Sequence, residues 1–365
     1  MPALGARPVT GSAFTQARYK IQSGFFKDLN QLTIDAYQAS DKKRWKGHVL
    51  LGGDGSSLNL PPSEEIENYF GIYSINELGI NRYLARVFFL YDVLNDVVVE
   101  SRLSKMERGE KTLLLECLAT LEHTNEILIL DRGLGNFCTI KELVNHQVQF
   151  CIRLGLKNSN FAKAVLQGDG QDFVTVWNPS PKERGNCKKN GLDCGPLTVR
   201  VVKIKLKTGE TELLVTSLLD TKNYTYQDLA ELYDLRWGVE EGFKNLKPKM
   251  KVEQFGCKKS EGVFQEFYAH IFYLNMVGLT GMAADNDIKE KTAHRKWKYK
   301  YNWKNAYRFL RANVIKLLFV KEIGDLFDRL LAKIASSIVA VKPDRVFIRD
   351  TRHRNKKGRI TQFHK

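Results

Sequence analysis

Four side chains between residues 233 and 247 have the types and the spacing of a site that binds phosphate. In a helix that turns about 100° per residue, Tyr233, Arg236, Glu240 and Lys247 fall on one narrow stripe. Cations and a phenol suit phosphate oxygens, and a carboxylate among them is a candidate ligand for a metal ion. The alternative interpretation is a solvated helix face whose charged residues are i,i+4 and i,i+7 neighbours.

The same segment has an apolar stripe that predicts how the helix packs. Its large apolar residues lie beside the polar stripe, at Leu232, Leu235, Val239, Phe243 and Leu246. Gly238 and Gly242 interrupt the pattern, and a glycine inside a helix costs about 1 kcal/mol relative to alanine. Close approach of another backbone is one reason for such glycines. The helix is therefore expected to pack by its apolar stripe and to present the polar one at the rim of the core.

Two aspartates could complete a metal site with Glu240. Mg²⁺ prefers oxygen ligands, and two ions about 4 Å apart need at least one bridging carboxylate. Asp131 follows the apolar run 126–130, which predicts a buried strand, and ligands bind beyond the carboxyl ends of such strands. Asp54 lies among glycines, just before a run whose alternation extends a strand. The alternatives are a helix N-cap or turn for Asp131 and a tight turn for Asp54.

The elements that must position these residues follow from the hydrophobic pattern. A weakly periodic run over 12–32 predicts a short N-terminal helix. The pattern then predicts a hairpin of two strands, a helix, a buried strand, a second helix and a further strand, at 82–94, 96–103, 111–121, 126–130, 136–146 and 147–154. This order is typical of a mixed α/β sheet.

The chain changes character at about residue 155. Alternating runs predict strands at 173–177, 197–206 and 212–219, with a turn at 207–210 and a polar loop over 179–196. These strands predict a mostly β insertion into the α/β fold. Helical periodicity then returns at 226–246, 263–284, 305–320 and 322–340, and a basic tail follows from residue 342.

Positive charge is concentrated at the C-terminal end. Residues 289–365 carry 22 Lys and Arg against 6 Asp and Glu, whereas residues 1–288 carry 35 of each, so the net charge of +16 lies in the last 77 residues. Such a block attracts polyanions. Nucleic acid is the first candidate and an anionic membrane surface the second.

The remaining composition indicates an ordinary globular protein of 365 residues. A hydrophobic content of 43% and a charged content of 27% exclude a disordered, collagenous or membrane-embedded chain. Six cysteines in a chain of this length do not suggest a disulfide framework, and Cys187 and Cys194 lack the second ligand pair of a zinc site. The pattern of the N-terminus and the polar residues within 263–284 indicate a cytosolic protein without a signal peptide or a membrane span.

The spacing Tyr-x₂-Arg-x₃-Glu-x₆-Lys at residues 233–247 resembles the signature of bacterial DDE transposases of the insertion-sequence-four type. That family also has an Asp-Gly-Ser or Asp-Gly-Thr motif, matched at 54–56, and an Asp-Arg-Gly motif, matched at 131–133. It places a mostly β insertion between the second Asp and the Glu, where residues 155–220 lie. The motifs occur in the family's order, and the resemblance covers about residues 48–290.

The resemblance implies a ribonuclease H-like mixed sheet flanked by helices, with a mostly β insertion and a helical, basic C-terminal region. It implies that Asp54, Asp131 and Glu240 are catalytic and bind two Mg²⁺ ions, or Mn²⁺ in their place. The activity implied is cut-and-paste transposition of an insertion sequence: metal-dependent cleavage at the ends of the element, followed by strand transfer into target DNA.

The resemblance also implies the partners. Tyr233, Arg236 and Lys247 would bind phosphates of the transposon end. The partners would be double-stranded DNA, as terminal inverted repeats and as target, and a second copy of the chain in a homodimer on DNA. We expect no membrane partner and a cytoplasmic, nucleoid-associated location. Some relatives stack a flipped base on a tryptophan of the insertion, but the spacing of Trp177 does not match well enough to assign that role.

These features predict five regions along the chain. They are an N-terminal helical segment, the first part of the core, the β-rich insertion, the second part of the core with the catalytic helix, and the basic C-terminal region, at 1–46, 47–154, 155–220, 221–288 and 289–365. Many relatives carry a longer DNA-binding domain before the first Asp, whereas 53 residues precede Asp54. The alternatives are a decayed or domesticated DNA-binding protein without catalysis, and a ribonuclease H-like nuclease.

Overall fold

A computed structural model describes residues 8–75, 79–121, 125–156, 159–206, 209–319 and 322–342. The basic tail beyond residue 342 and part of the predicted turn at 207–210 lie outside these residues. The described chain divides into two compact units, 1–282 and 283–365, which do not coincide with the five predicted regions. The boundaries of those regions stay a prediction.

Strands of the first unit form a large mixed sheet and a small ribbon. They are β1 Val49–Asn59, β2 Ser74–Ile75, β3 Asn81–Arg82, β4 Leu84–Asp92, β5 Val97–Lys105, β6 Glu126–Leu130, β7 Gln149–Arg153, β8 Asp172–Trp177, β9 Leu197–Lys205 and β10 Thr211–Thr216. The large sheet has the order β5-β4-β1-β6-β7-β10-β9-β8, and β2 pairs with β3. Strands β1, β6 and β7 are parallel, and the other pairings of the large sheet are antiparallel.

Helices cover both faces of this sheet. They are α1 Gly11–Arg18, α2 Ser23–Ala39, α3 Glu64–Phe70, α4 Glu110–Leu118, α5 Phe137–Asn145, α6 Asn160–Gln167, α7 Pro181–Lys189, α8 Tyr226–Asp234, α9 Gly238–Lys244 and α10 Ser260–Ala283. Leu128 and Leu130 of β6 pack in the core cluster that includes the apolar side chains of α4 and α5. Ile127 and Ile129 point to the other face and pack with α8. The predicted mixed sheet flanked by helices is confirmed, and its ribonuclease H-like type stays a prediction.

The predicted insertion region contains more helix than its pattern indicated. The interpretation of 179–196 as a polar loop is wrong, because α7 lies within it. Ser180 and Glu183 form a capping box at its first turn, and Pro181 occupies the first helical position. Helix α6 was also not predicted, although Ser159 caps it. The strands β8 to β10 were predicted, and they extend the large sheet at the β7 side.

The predicted helix 226–246 is broken in the structure. Helix α8 ends at Asp234, a 3₁₀ turn covers Leu235–Trp237, and α9 is followed by a π turn at Asn245–Lys249. Pro248 lies inside that π turn, where its missing N–H removes a helical hydrogen bond. The four polar residues of the signature therefore do not share a single regular helix.

The second unit is helical with a short ribbon. Its described elements are α11 Asp285–Thr292, β11 Lys298–Tyr301, α12 Trp303–Phe319, α13 Gly324–Ser336 and β12 Ile338–Val341. Strands β11 and β12 pair antiparallel. Helices α12 and α13 are in contact, and both contribute fully buried apolar residues, Leu310 and Ile334 among them. No helix in the described part of the chain is both long enough and apolar enough to cross a bilayer.

Candidate active site

Asp54 and Asp131 are neighbours on adjacent parallel strands. Gly53 of β1 pairs with Leu130 of β6, so the next residue along each chain is one of the two aspartates. Neighbouring strands lie about 4.8 Å apart. Side chains alternate along a strand, and Leu50 of β1 belongs to the cluster packed against α8. Both aspartates consequently project from the sheet face that α8 covers.

Asp54 lies inside β1, so its interpretation as a tight-turn residue is wrong. The glycines around it have contacts that larger side chains would obstruct. A Cβ on Gly55 would lie 2.6 Å from Cδ of Glu110. A Cβ on Gly52 would lie 3.1 Å from the Cβ of Val239 in α9. Gly52 thus allows α9 to lie close to the same face of β1 as Asp54.

Helix α9 is held against the sheet next to Asp54. Phe89 of β4 pairs with Asp54, and its ring stacks on Phe243 of α9 with centroids 4.4 Å apart. A Cβ on Gly242 would lie 2.9 Å from the ring of Tyr91, and one on Gly238 would lie 2.8 Å from Cβ of Val93. The close approach expected of these two glycines is present, chiefly to side chains of the sheet. It places Glu240, which lies between them, at the rim of the site.

Tyr233 and Arg236 link the two aspartates to Glu240. The Tyr233 hydroxyl donates to Oδ1 of Asp131 at 3.4 Å. Burial and the Asp131 charge raise the pKa of Tyr233, so the phenol keeps its proton at neutral pH. The Arg236 side chain is buried, and its Nη2 lies 3.5 Å from Oε1 of Glu240. Arg236 also lies close enough to Asp54 for its charge to act on that carboxyl group.

The Asp54 carboxyl group is partly buried. Burial raises its pKa to about 6, even though the Gly55 N–H donates to Oδ1 at 2.8 Å and Arg236 favours the ionised form. The negative charges of Glu110 and Asp131 act in the same direction as burial. A bound cation would reverse this balance, because it favours the carboxylate.

Lys247 connects the π turn to β1 close to Asp54. Its Nζ donates to Oγ of Ser56 at 2.7 Å and to the carbonyl oxygen of Ser57. Burial lowers the pKa of Lys247. Glu253, farther along the same loop, accepts from the backbone N–H and the side-chain amide of Asn59, both at 2.8 Å. The segment after α9 is therefore tied along the second half of β1.

The sequence profile of the transposase DDE domain matches residues 47–276, which include all six predicted site residues. This chain belongs to the transposase DDE domain family. The transposase InsG for insertion sequence element IS4 of Escherichia coli (strain K12) is 23% identical to it over 279 residues, which are 75% of this chain and 62% of that protein. The predicted DDE transposase family is confirmed by the domain match, and the insertion-sequence-four type stays a prediction.

A solved transposase is also similar to this chain. The cryo-EM structure of the piggyBac transposase synaptic complex with hairpin DNA aligns with a TM-score of 0.45 at 10% identity, over 78% of this chain and 57% of that one. This chain therefore spans less than two thirds of the length of either protein.

The DDE domain brings its predicted site residues together only in part. Asp54 adjoins Asp131, Tyr233 contacts Asp131, Arg236 pairs with Glu240, and the Lys247 ammonium reaches Ser56, two residues after Asp54. Glu240 is about one third exposed. Within the described residues, no three acidic, histidine or cysteine side chains form a group that could hold a metal ion. The three-carboxylate site thus stays a prediction.

The donor set itself fits a hard divalent cation. Carboxylate oxygens are the ligands that Mg²⁺ and Mn²⁺ prefer, and a bound cation would favour the ionised form of Asp54, whose pKa burial raises. Transposase DDE domains use a divalent metal. Asp54, Asp131 and Glu240 are the residues that would hold it here.

Two charged residues near the DDE site were not predicted. Arg153, the last residue of β7, pairs with Glu212 of β10 at 2.8 Å. Burial raises the pKa of Glu212, and Asp131 and Arg236 are among the charges that act on it. Arg153 ends a parallel strand at the same edge of the sheet as Asp131, and that position was a usable signal. No local pattern in the sequence pointed to Glu212, because its neighbours come from β7 and α8.

Trp177 and five of the six cysteines belong to the interior rather than to the site. Trp177 is 1% exposed, and its ring stacks on Phe161 with centroids 4.3 Å apart. Its position is that of a core side chain. Sγ of Cys187 lies 3.0 Å from Sγ of Cys138. All six cysteines are free thiols.

Proposed function

We propose that this protein is a DNA transposase that cuts an insertion sequence out of DNA and inserts it elsewhere. It would bind the ends of the element, cleave DNA strands in a metal-dependent reaction, and transfer the freed strands to target DNA. One observation carries the proposal: Asp54 and Asp131 of a transposase DDE domain lie side by side, on the sheet face covered by the helices that carry Tyr233 and Glu240.

Three carboxylates would hold the metal ions of the reaction. Asp54, Asp131 and Glu240 would hold two Mg²⁺ ions, with Mn²⁺ as a substitute. When bound, such ions activate the attacking hydroxyl and stabilise the leaving oxygen of an in-line displacement. Arg236 would orient Glu240, since the two already form an ion pair. The Tyr233 hydroxyl would hold one oxygen of Asp131, so that the other stays available.

The polar residues of the signature would also position the DNA strand. Tyr233 and Lys247 are a protonated phenol and an ammonium group on either side of the row of acids, and both can donate to phosphate oxygens. Arg236 is buried, so it would act on the phosphate through the electrostatic field of its charge rather than by contact at the surface. These groups would fix the scissile phosphate relative to the carboxylates.

The partners follow from the same chemistry. The protein would act on double-stranded DNA, both the terminal inverted repeats of its element and the target. Two ends must be held together for transposition, so we propose a homodimer in the complex with DNA. The site of action would be the bacterial nucleoid in the cytoplasm.

The test is a cleavage assay that compares alanine substitutions at two neighbouring glutamates, Glu240 and Glu241. We expect the purified chain, given Mn²⁺ and DNA that bears its element's own ends, to nick at those ends and to join them to a target plasmid. Glu240→Ala should reduce cleavage by on the order of 10²-fold or more, because a metal ligand contributes several kcal/mol to the transition state. Glu241→Ala is the control, because that side chain is exposed and pairs with Lys244.

Other outcomes would assign a different function. Cleavage without joining to target DNA would indicate a nuclease of the same fold. DNA binding without any cleavage, unchanged in Asp54→Ala, would indicate a binding protein that has lost catalysis.

A further inference from the structure

The second unit contains a long stretch without acidic residues. Between Glu290 and Glu322 the sequence has ten Lys and Arg and no Asp or Glu over 31 residues. Lys289 and Lys291 of α11 have acidic partners in the same helix, since they pair with Asp285 and Asp287 at 2.8 and 3.7 Å. The nine Lys and Arg from 295 to 321 have no acidic residue between them in the sequence.

Helix α12 arranges part of this charge on one exposed face. Lys304, Arg308 and Arg311 are spaced i, i+4 and i+7, which places them on one stripe of the helix, and all three are exposed. None of the three side chains forms an ion pair or a hydrogen bond with another residue of the described chain. Like charges at this spacing repel one another. The stripe is thus a row of cations without a counter-charge.

The length of the stripe matches a DNA backbone. At 1.5 Å of rise per residue, the seven steps from Lys304 to Arg311 span about 10 Å. One strand of duplex DNA carries a phosphate every 3.4 Å or so along the axis, so about three phosphates occupy that length. Lysine and arginine are the side chains that most often contact phosphates in such complexes.

The packing of α12 favours DNA over a membrane surface. A helix that lies on a bilayer inserts an apolar face next to its basic one. The apolar residues Ala306 and Leu310 of α12 are fully buried within this unit, and α12 contacts α13. These two residues are therefore not available for insertion, whereas Lys304, Arg308 and Arg311 are exposed.

We propose that the α12 face formed by Lys304, Arg308 and Arg311 is a docking surface for the phosphate backbone of duplex DNA. The choice of DNA among polyanions rests on the proposed transposase function. Contacts of this kind position a protein on the duplex and do not read its sequence. The surface would bind the element's ends and unrelated DNA alike.

The experiment measures binding in the absence of catalysis. The full chain with Asp54→Asn is titrated with a 30-base-pair duplex in EDTA at several salt concentrations, and the logarithm of the binding constant is plotted against that of the salt concentration. The triple variant Lys304→Gln, Arg308→Gln, Arg311→Gln should reduce the slope by about 2.7, which is 0.9 for each lost phosphate contact. Each single variant should reduce it by about 0.9.

Two further variants separate a local surface from net charge and from misfolding. Lys182→Gln, Lys188→Gln, Lys189→Gln removes three exposed charges from α7 and should leave the slope within about 0.5 of the parent. Lys304→Arg, Arg308→Lys, Arg311→Lys retains the charges and should retain the slope. Equal losses in the α7 and α12 triple variants, or an unchanged slope in the α12 variants, would overturn the proposal.

Binding to lipid vesicles tests the alternative of a membrane partner. Vesicles of phosphatidylserine and phosphatidylcholine are added to the same proteins, and loss of vesicle binding in the α12 triple variant with unchanged DNA binding would overturn the DNA assignment. The assay uses a chain that cannot cut, without divalent ions. A negative result in the DNA-binding assay would not affect the cleavage test of the proposed function. A negative result with Glu240→Ala in the cleavage test would likewise not affect the DNA-binding assay.

Discussion

The pKa of the Asp54 carboxyl group is raised by its surroundings. Burial raises its pKa to about 6, and the charge of Asp131 on the adjacent strand contributes to the rise. The ordinary pKa of an aspartate in an unfolded chain is about 3.9. Above pH 6 the group is ionised in both states and its burial opposes folding. Between about pH 6 and pH 4 the folded state takes up a proton that the unfolded state does not, so stability from this group rises as the pH falls.

Asp54→Asn should therefore stabilise the protein in a pH-dependent way. Without divalent ions at pH 8, we expect the variant to be more stable by about 1–2 kcal/mol, because the buried charge is gone. The difference should shrink as the pH falls through 6 and should be lost near pH 4. Urea unfolding at five pH values measures it. A difference that stays constant from pH 8 to pH 4 would contradict the assigned cause.

The residues of the candidate site could be selected from the sequence, but their surroundings could not be predicted. The signature in residues 233–247 was sufficient to select four side chains, and the end of an apolar run was sufficient to select Asp131. Asp54 resembled a turn residue because glycines flank it. Those glycines make room for Glu110 and Val239, which lie far away in the sequence. A local pattern cannot contain such a contact.

At the scale of the elements, α9 is positioned by contacts of small residues. Gly52, Gly238 and Gly242 all lie where a larger side chain would meet the opposite element. The ring of Tyr91 that contacts Gly242 is itself fixed, because its hydroxyl donates to Asp96 at 3.0 Å. Tyr91 therefore has little freedom to move aside, and the distance between α9 and the sheet depends on the absence of a side chain at residue 242.

Gly242→Ala and Gly24→Ala should have opposite effects on stability. We expect Gly242→Ala to destabilise the protein by about 1–3 kcal/mol through overpacking against Tyr91. Gly24 lies in the first turn of α2, and no atom lies within 4 Å of the position that a Cβ would occupy there. Alanine at this residue should stabilise by about 0.4–1 kcal/mol, because the unfolded chain loses freedom. Chemical denaturation of both variants tests this. A loss at residue 24 equal to that at 242 would contradict the packing argument.

The elements that the sequence failed to predict share a physical reason. Helix α7 is polar on most of its surface, and Cys187 is its only fully buried residue, so it has almost no hydrophobic periodicity. Its capping box was the available signal. The break between α8 and α9 was missed for the opposite reason. The apolar stripe continues across Leu235–Trp237, and hydrophobic spacing does not distinguish a helix from one interrupted by a 3₁₀ turn.

At the scale of the whole first unit, eight strands form one continuous sheet. The sequence predicted β8, β9 and β10 as strands, but their partner could not be predicted because pairing is a long-range choice. Strand β10 pairs with β7, at Val215 with Ile152 and Thr216 with Cys151. Buried side chains of β9 and β10, such as Val201 and Leu213, belong to the same core cluster as those of β6 and β7.

Continuity of the sheet predicts that the insertion strands unfold with the core. We expect peptides from β9 and β10 to exchange amide hydrogens as slowly as those from β6 and β7, because they share one set of buried contacts. Helix α1, which has no buried residue, should exchange much earlier. Hydrogen exchange followed by mass spectrometry tests this. Early, independent exchange of β8 to β10 would show that the insertion is a separate folding unit.

One cysteine gives a position for a chemical label. Cys194, in the connection that leaves β8, is partly exposed, whereas the other five cysteines are buried. A maleimide dye directed at thiols therefore has a single accessible target, and a fluorescent reporter can be attached to the unmutated chain.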